Sequence, residues 1–328
     1  RNVDGIVGYK QDNHSLIMAA TYTLEKTTVD GFPALRLISP EGLAATYVPT
    51  AGMVCCSLTH RGDELLGQRR GLKHNAATGS TMGIPLLHPW ANRLGRLGYE
   101  IEGKRVDFAP DSPLVHFDAN RLPIHGLVGG CPDWQVREQA YNQDSARLTA
   151  RLDLTTRTEF LALFPFPHIL ELRIVLQNTL LAVSTTVLPA TDAAVPIAFG
   201  YHPYFTLPDV PRQAWEIDLP ARRRLILNEK ALPTGETEPC PPFSGTLGSR
   251  VYDDLYTEMA PKPVFQLRGA GRTVTVSFGE GYRFAQVYAP GEDEVICFEP
   301  MTCLLYTSDA ADELRSVLLW GGGGCVGG

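Results

Sequence analysis

No stretch of the 328-residue chain approaches the roughly 18 consecutive apolar residues that a membrane-spanning helix needs. An excess of basic residues is missing too: the net charge is −7, which argues against nucleic acid and against anionic membrane surfaces as partners. Arg222, Arg223 and Arg224 form the only basic cluster, and beside an apolar run they read as a solvated edge rather than a phosphate grip. The N-terminal residues lack a basic segment followed by an apolar one, the mark of a secretory leader, although a chain that begins at Arg1 leaves its true start open. The seven cysteines are an odd number with no Cys-x-x-Cys and no disulfide-framework spacing, so reduced thiols and a cytoplasmic location are expected. Gly-x-Ser-x-Gly is absent, as are a Gly-rich phosphate loop and a helical His-x-x-x-His pair. These absences count against serine hydrolysis, nucleotide binding and a metal centre, and no cofactor is expected.

What is present is a succession of short β-rich runs: 20–25, 34–39, 43–48, 54–60, 145–154, 168–178, 181–187, 224–227, 264–267, 273–278, 284–288 and 294–298. Several alternate apolar with polar as a half-buried strand does, for example Leu148, Ala150, Leu152 and Leu154 against Thr149, Arg151 and Asp153. Many strands at short spacing predict an all-β sandwich or barrel rather than βαβ units. The 25 prolines and 31 glycines supply the turns. Apolar residues make up 44% of the chain, enough for a sizeable core, and no composition shift divides residues 1–302, so one large β domain is expected there. Residues 61–80 and 208–216 read as excursions between strands, and 228–250, rich in Pro and Gly, as a long loop. After residue 302 the strand rhythm is lost, and 303–328 reads as a foreign-looking tail, with a native flexible end as the alternative.

The most informative stretch is 83–93, Gly-Ile-Pro-Leu-Leu-His-Pro-Trp-Ala-Asn-Arg. Pro89 should end the apolar run and leave Trp90, Asn92 and Arg93 on a loop at a sheet edge. An apolar ring face, an amide that donates and accepts, and a fork of donors suit a small polyhydroxylated ligand, a sugar. The same residues also read as a strand end with a surface Asn-Arg pair. Four further polar positions interrupt apolar surroundings: His125 in Pro-Ile-His-Gly-Leu, His202 in Phe-Gly-Tyr-His-Pro-Tyr-Phe, Asp253 in Asp-Asp-Leu-Tyr, and Glu299 after Val-Ile-Cys-Phe and before Pro300. Each has a plainer reading: packed histidines with satisfied rings, a loop aspartate, a first solvated residue after a strand. Taken together, a partly desolvated carboxylate and an imidazole can serve as general base and general acid, which is what opening a hemiacetal requires. A metal site is the weaker reading, because these residues show no compact ligand cluster in sequence.

With those residues in view, the chain resembles the aldose 1-epimerase (galactose mutarotase) family. The matching stretches lie between about residue 30 and residue 302: the 83–94 run, Pro-Ile-His-Gly-Leu ending near Trp134, Phe-Gly-Tyr-His-Pro-Tyr-Phe, Leu-Pro-Thr-Gly-Glu at 232–236, Asp-Asp-Leu-Tyr and Phe-Glu-Pro-Met-Thr. The resemblance implies a large antiparallel β-sandwich with an open sugar cleft. It implies that Asn92, Arg93, His125 and Asp253 (or its neighbour Asp254) bind the sugar, that His202 is the general acid and that Glu299 is the general base. No cofactor or metal is implied, and the partner is a small aldose. Where family members continue past Phe-Glu-Pro-Met-Thr with further strands, this chain has its foreign-looking tail. C-terminal strands are therefore expected to be missing, leaving Glu299 beside an open sheet edge. The rival readings are a hexose-6-phosphate 1-epimerase, a non-catalytic sugar-binding protein on the same scaffold, and a glycosidase using Glu299 with Asp253.

Overall fold

A computed structural model describes residues 21–305. The chain opens with a meander, β1 (Thr23–Val29), β2 (Phe32–Ile38), β3 (Leu43–Val48), β4 (Val54–His60) and β5 (Asp63–Glu64), which pair in that order. A short helix α1 (Leu72–Thr78) leads to β6 (Leu86–Leu87), then to the hairpin β7 (Gly98–Ile101) and β8 (Lys104–Asp107). Strands β9 (Gln135–Tyr141) and β10 (Ala146–Asp153), a single turn α2 (Thr158–Leu161), β11 (His168–Gln177) and β12 (Leu180–Pro189) form a second sheet ordered β12-β11-β10-β9.

The rest of the chain weaves two sheets at once. Its strands are β13 (Gly200–Tyr201), β14 (Glu216–Leu219), β15 (Arg222–Leu227), β16 (Pro233–Cys240), β17 (Phe243–Thr246), β18 (Tyr252–Thr257), β19 (Val264–Gly269), β20 (Arg272–Ser277), β21 (Phe284–Ala289) and β22 (Cys297–Met301). The larger sheet runs β16-β15-β18-β21-β22-β13-β6, and the smaller runs β17-β14-β19-β20. The architecture is an all-β, antiparallel sandwich. Among the described residues no helix is long and apolar enough to cross a membrane.

Alternation explains how the sheets pack. Leu148, Ala150 and Leu152 of β10 face Ile174, Leu172 and Leu170 of β11 in register, and all six are essentially inaccessible. On β22, Phe298 points to the underside of the large sheet and stacks on Phe265 of the smaller one at 5.2 Å between ring centres. One apolar cluster takes in Leu37, Leu172, Ile217, Phe265, Val287 and Phe298, and so joins four of the sheets.

Several expectations need correction. Residues 228–250 are not a structureless loop, because β16 and β17 lie within them. Their sequences, Pro-Thr-Gly-Glu-Thr-Glu-Pro-Cys and Phe-Ser-Gly-Thr, carry little apolar alternation; pairing with β15 and β14 overrides local propensity. Asp253 sits within a strand rather than a loop. Pro300 does not end its strand: β22 continues to Met301, with Pro300 opposite Ala285. The missing N–H is tolerated beside β13, where the register is a single pair, Gly200 with Met301. The strand that carries Glu299 is flanked by β21 and β13, so the open edge expected beside it is not there. Cys303, Leu304 and Leu305 are buried, and the remainder of the expected tail lies outside the described residues, as does residue 20 of the first expected run.

Leu170 lies on the second sheet's apolar face, between Leu152 and Val187, and is fully buried. Leu170→Ala is expected to lower stability by about 2–5 kcal/mol. Urea unfolding of the two proteins checks this, and a loss below about 1 kcal/mol would contradict the packing described.

Candidate active site

The period-two pleat of the large sheet builds the floor of the site. Asp253 of β18 is opposite Tyr288 of β21, Tyr288 is opposite Cys297 of β22, and Gln286 is opposite Glu299. These five side chains therefore share one face. Their neighbours in sequence point the other way, as Phe298 shows. A cavity of about 870 Å³ contains none of the expected site residues; Tyr201 and Pro300, adjacent in sequence to His202 and Glu299, line it from the reverse side of the sheet.

His202 follows β13 directly and turns toward this floor. Its Nε2 is 3.3 Å from Glu299 Oε1, and both side chains are almost completely buried. The Tyr204 hydroxyl lies 3.1 Å from the same Nε2 and 2.6 Å from Thr81 Oγ1, while the Tyr204 ring stacks on the imidazole at 4.2 Å. His125 meets His202 edge-on at 5.3 Å. Its Nδ1–H donates to the Ala91 carbonyl at 3.0 Å, which leaves Nε2 of the neutral ring as an acceptor facing away from that bond.

The 83–93 stretch supplies the wall. The Asn92 amide donates to Gln286 Oε1 at 3.3 Å, and Gln286 donates to Asp253 Oδ1 at 2.6 Å. Arg93 Nε donates to Asp118 Oδ2 at 2.7 Å, and the Arg93 backbone N–H donates to Asn92 Oδ1 at 2.8 Å. All six residues expected from the sequence thus fall in one hydrogen-bonded and ring-stacked group. Asp254 points away, accepting from Tyr256 and Arg224.

Two loops are held together by a close backbone approach. His125 has φ of 65° and Gly126 φ of 73°. A Cβ on Gly126 would lie 2.1 Å from the His88 carbonyl oxygen, so only glycine fits there. The next N–H, that of Leu127, donates to that same carbonyl at 2.7 Å. Left-handed backbone at a histidine costs on the order of 1–3 kcal/mol and persists where surroundings fix it.

One expectation about this wall fails. Trp90 does not offer its face to a ligand; it is 1% exposed and stacks on Phe108 at 5.5 Å. Its bulk is more stabilising in the core than over an open cleft. The half-buried Tyr288, 6.0 Å from His202, is the aromatic ring on the floor instead.

Burial sets the electrostatics. Glu299 is raised well above its ordinary value, first by desolvation and then by Asp253, with Arg93 pulling the other way. His202 is lowered well below its ordinary value by desolvation, His125 and Arg69. Burial lowers His125 to about 4, opposed by its bond to Ala91. Burial thus favours the uncharged form of both the carboxyl and the imidazole.

Tyr204, Gln286, Tyr288, Cys297 and Asp118 were not singled out from the sequence. Gln286 had a visible signal, an amide in the middle of the apolar run Phe-Ala-Gln-Val-Tyr-Ala. Asp118 had none. The sequence reading also found no compact ligand cluster, yet ligand atoms of His202, Cys297 and Glu299 lie within 4.8 Å of one another. Cys297 enters that group through the alternation of β22, two residues before Glu299.

Comparison with solved structures places this architecture among the galactose mutarotase-like proteins. A galactose mutarotase-like protein from Clostridium acetobutylicum superposes with a TM-score of 0.75 at 18% identity, covering 88% of this chain and 90% of that one. Galactose 1-epimerase from Lactobacillus acidophilus NCFM gives 0.69 at 13% identity, covering 90% and 94%. A putative aldose 1-epimerase from Escherichia coli K12 gives 0.62 at 16%, covering 86% and 89%. No curated protein matches the chain in sequence. The sequence pattern of the family described as Aldose 1-epimerase matches residues 45–318, and the chain belongs to that family.

The buried histidines make stability depend on pH. His168 Nδ1–H donates to the Phe166 carbonyl at 2.6 Å, so its Nε2 accepts from His88 Nε2–H at 2.8 Å inside an aromatic box. Burial lowers His168 to about 4, and His88, His116, His125 and His202 are lowered as well. A folded value below the unfolded 6.5 means the unfolded chain binds more protons between the two, so stability is lost as pH falls through that window. Glu299 acts with the opposite sign, but five imidazoles oppose one carboxyl. Melting temperature is expected to drop steadily from pH 6.5 toward pH 4; a flat profile over that range would contradict the buried neutral histidines.

Proposed function

We propose that this chain is an aldose 1-epimerase that interconverts the α and β anomers of a free aldohexose such as galactose or glucose. The observation that carries the proposal is the buried pair His202 Nε2 and Glu299 Oε1, 3.3 Å apart. Around it stand Asn92, Arg93, His125, Gln286 and Asp253, whose donors and acceptors suit sugar hydroxyls. Family membership supports an isomerase chemistry, and the cytoplasm is the compartment we propose for it.

The reactive form has Glu299 as carboxylate and His202 as imidazolium. It is reached by moving one proton across the short gap between them, and Arg93 favours the carboxylate. Glu299 takes the proton from the C1 hydroxyl while His202 delivers one to the ring oxygen. The C1–O5 bond breaks and the free aldehyde forms. Rotation about C1–C2 presents the other carbonyl face, and the two groups then reverse their roles to close the ring. The sum of protons is unchanged, and no cofactor takes part. Asn92, Gln286 and Asp253 form a linked row that fixes hydroxyl positions, and Arg93, braced by Asp118, supplies the cationic edge.

Polarimetry of freshly dissolved α-D-galactose or α-D-glucose tests this directly. Glu299→Gln and His202→Ala are each expected to lower kcat on the order of 10²–10⁴-fold. Arg93→Ala is expected chiefly to raise KM. Undiminished turnover in Glu299→Gln would refute the assignment of the base. Wild-type protein that binds sugar without accelerating the change in rotation would point to a binding protein instead. Preference for glucose 6-phosphate over free hexose would point to a phosphosugar epimerase.

A further inference from the structure

We propose that His202, Cys297 and Glu299 form a binding site for a thiophilic divalent cation, zinc above all, and that zinc bound there inhibits the protein. Cys297 and Glu299 are two residues apart on β22 and so project from the same face. His202 comes to them from the segment after β13, and the three ligand atoms lie within 4.8 Å of one another. The separation of 3.3 Å between His202 Nε2 and Glu299 Oε1 is the spacing expected for two ligands each about 2.0–2.1 Å from a tetrahedral zinc. Movement of the Cys297 sulfur on the order of 1 Å completes a three-ligand set.

A second observation points the same way. Glu299 Oε1 is buried with no hydrogen-bond donor, a lone pair in a desolvated niche aimed at His202. One sulfur, one imidazole nitrogen and one carboxylate oxygen favour zinc over magnesium or calcium, which take oxygen ligands. Three protein ligands leave a fourth tetrahedral position for water or a sugar hydroxyl. Binding displaces the Cys297 thiol proton, and any proton that His202 or Glu299 carries on a ligand atom, to solvent; no electron moves. The cation then occupies both groups that the proposed epimerisation uses. The inhibition therefore rests on that proposal, whereas the binding does not.

The test uses the full chain with a non-thiol reductant and cobalt(II) as a spectroscopic stand-in for zinc. One cobalt per chain should give a thiolate-to-cobalt charge-transfer band that zinc abolishes. Cys297→Ser should lose the band and weaken zinc by at least the roughly 10–100-fold that loss of an outer-shell partner alone costs. Whatever sugar turnover this variant has should no longer respond to zinc. Glu299→Gln, nearly isosteric, gives a second reading: weaker cobalt binding with the thiolate band retained at saturation. A wild-type protein without the band, or a Cys297→Ser protein with the band and zinc affinity intact, overturns the site. Cobalt binding without any sugar turnover would instead sink the epimerase proposal and leave the cation site standing.

Discussion

A carboxyl group with a bare oxygen, buried beside an imidazole, is costly unless something else holds it in place. Here the large sheet does so. Glu299 lies on an inner strand, paired with β21 on one side and next to β13 on the other, so its backbone has no freedom to turn the side chain outward. The reverse face of β22 supplies the compensating burial: Phe298 is inaccessible and stacks on Phe265. Pushing Glu299 into water would mean flipping the register and exposing Phe298, a loss of about 1.5–3 kcal/mol for that side chain alone. The strained polar pair is therefore a consequence of apolar packing on the opposite side of a single strand.

The same logic governs the wall of the cleft. Trp90 and His88 are buried on the inward side of the 83–93 stretch, Trp90 against Phe108 and Tyr99, His88 against Phe160, Phe164 and His168. With those two anchored, Asn92 and Arg93 are left at the cleft edge. Gly126 lets the His125 loop lie on the His88 carbonyl, and His125 in turn bonds Ala91, inside the stretch. Rigid apolar anchors thus carry each polar side chain that faces the cleft, as positional accuracy in a site requires.

The fold class was legible because alternation in residues 145–154 and 168–178 is strong, and β10 and β11 form there within a residue or two. Strands β9, β16 and β17 were not legible. They are polar, and pairing with β10, β15 and β14 respectively makes them strands where local apolar alternation does not. The candidate site residues were legible as polar interruptions of apolar runs, all but Asp253 close to a proline. Trp90 was misread because a sequence cannot show which side of a loop turns inward. Gln286 was visible as an amide in an apolar run, but its place beside Glu299 required the β21–β22 register. Proline misled at residue 300 for a related reason: a missing donor matters only where a neighbouring strand asks for it.

Burial of the acid–base pair has a consequence for the direction in which it helps. On the epimerase reading, the ring-closed complex needs carboxylate with imidazolium, and the ring-opened complex leaves carboxylic acid with neutral imidazole. Desolvation raises Glu299 and lowers His202, so it favours the uncharged pair. That is the state that accompanies the free aldehyde, the least stable form of the sugar. On that reading the niche favours the open form over the charged, reactive closed form, and does so equally for both anomers, since each must pass through the same charged pair. A reaction that must run in both directions gains from such symmetry. A fixed cation or a permanently charged base could not supply it, because only a transferable proton returns the site to its starting state at the end of each half of the cycle.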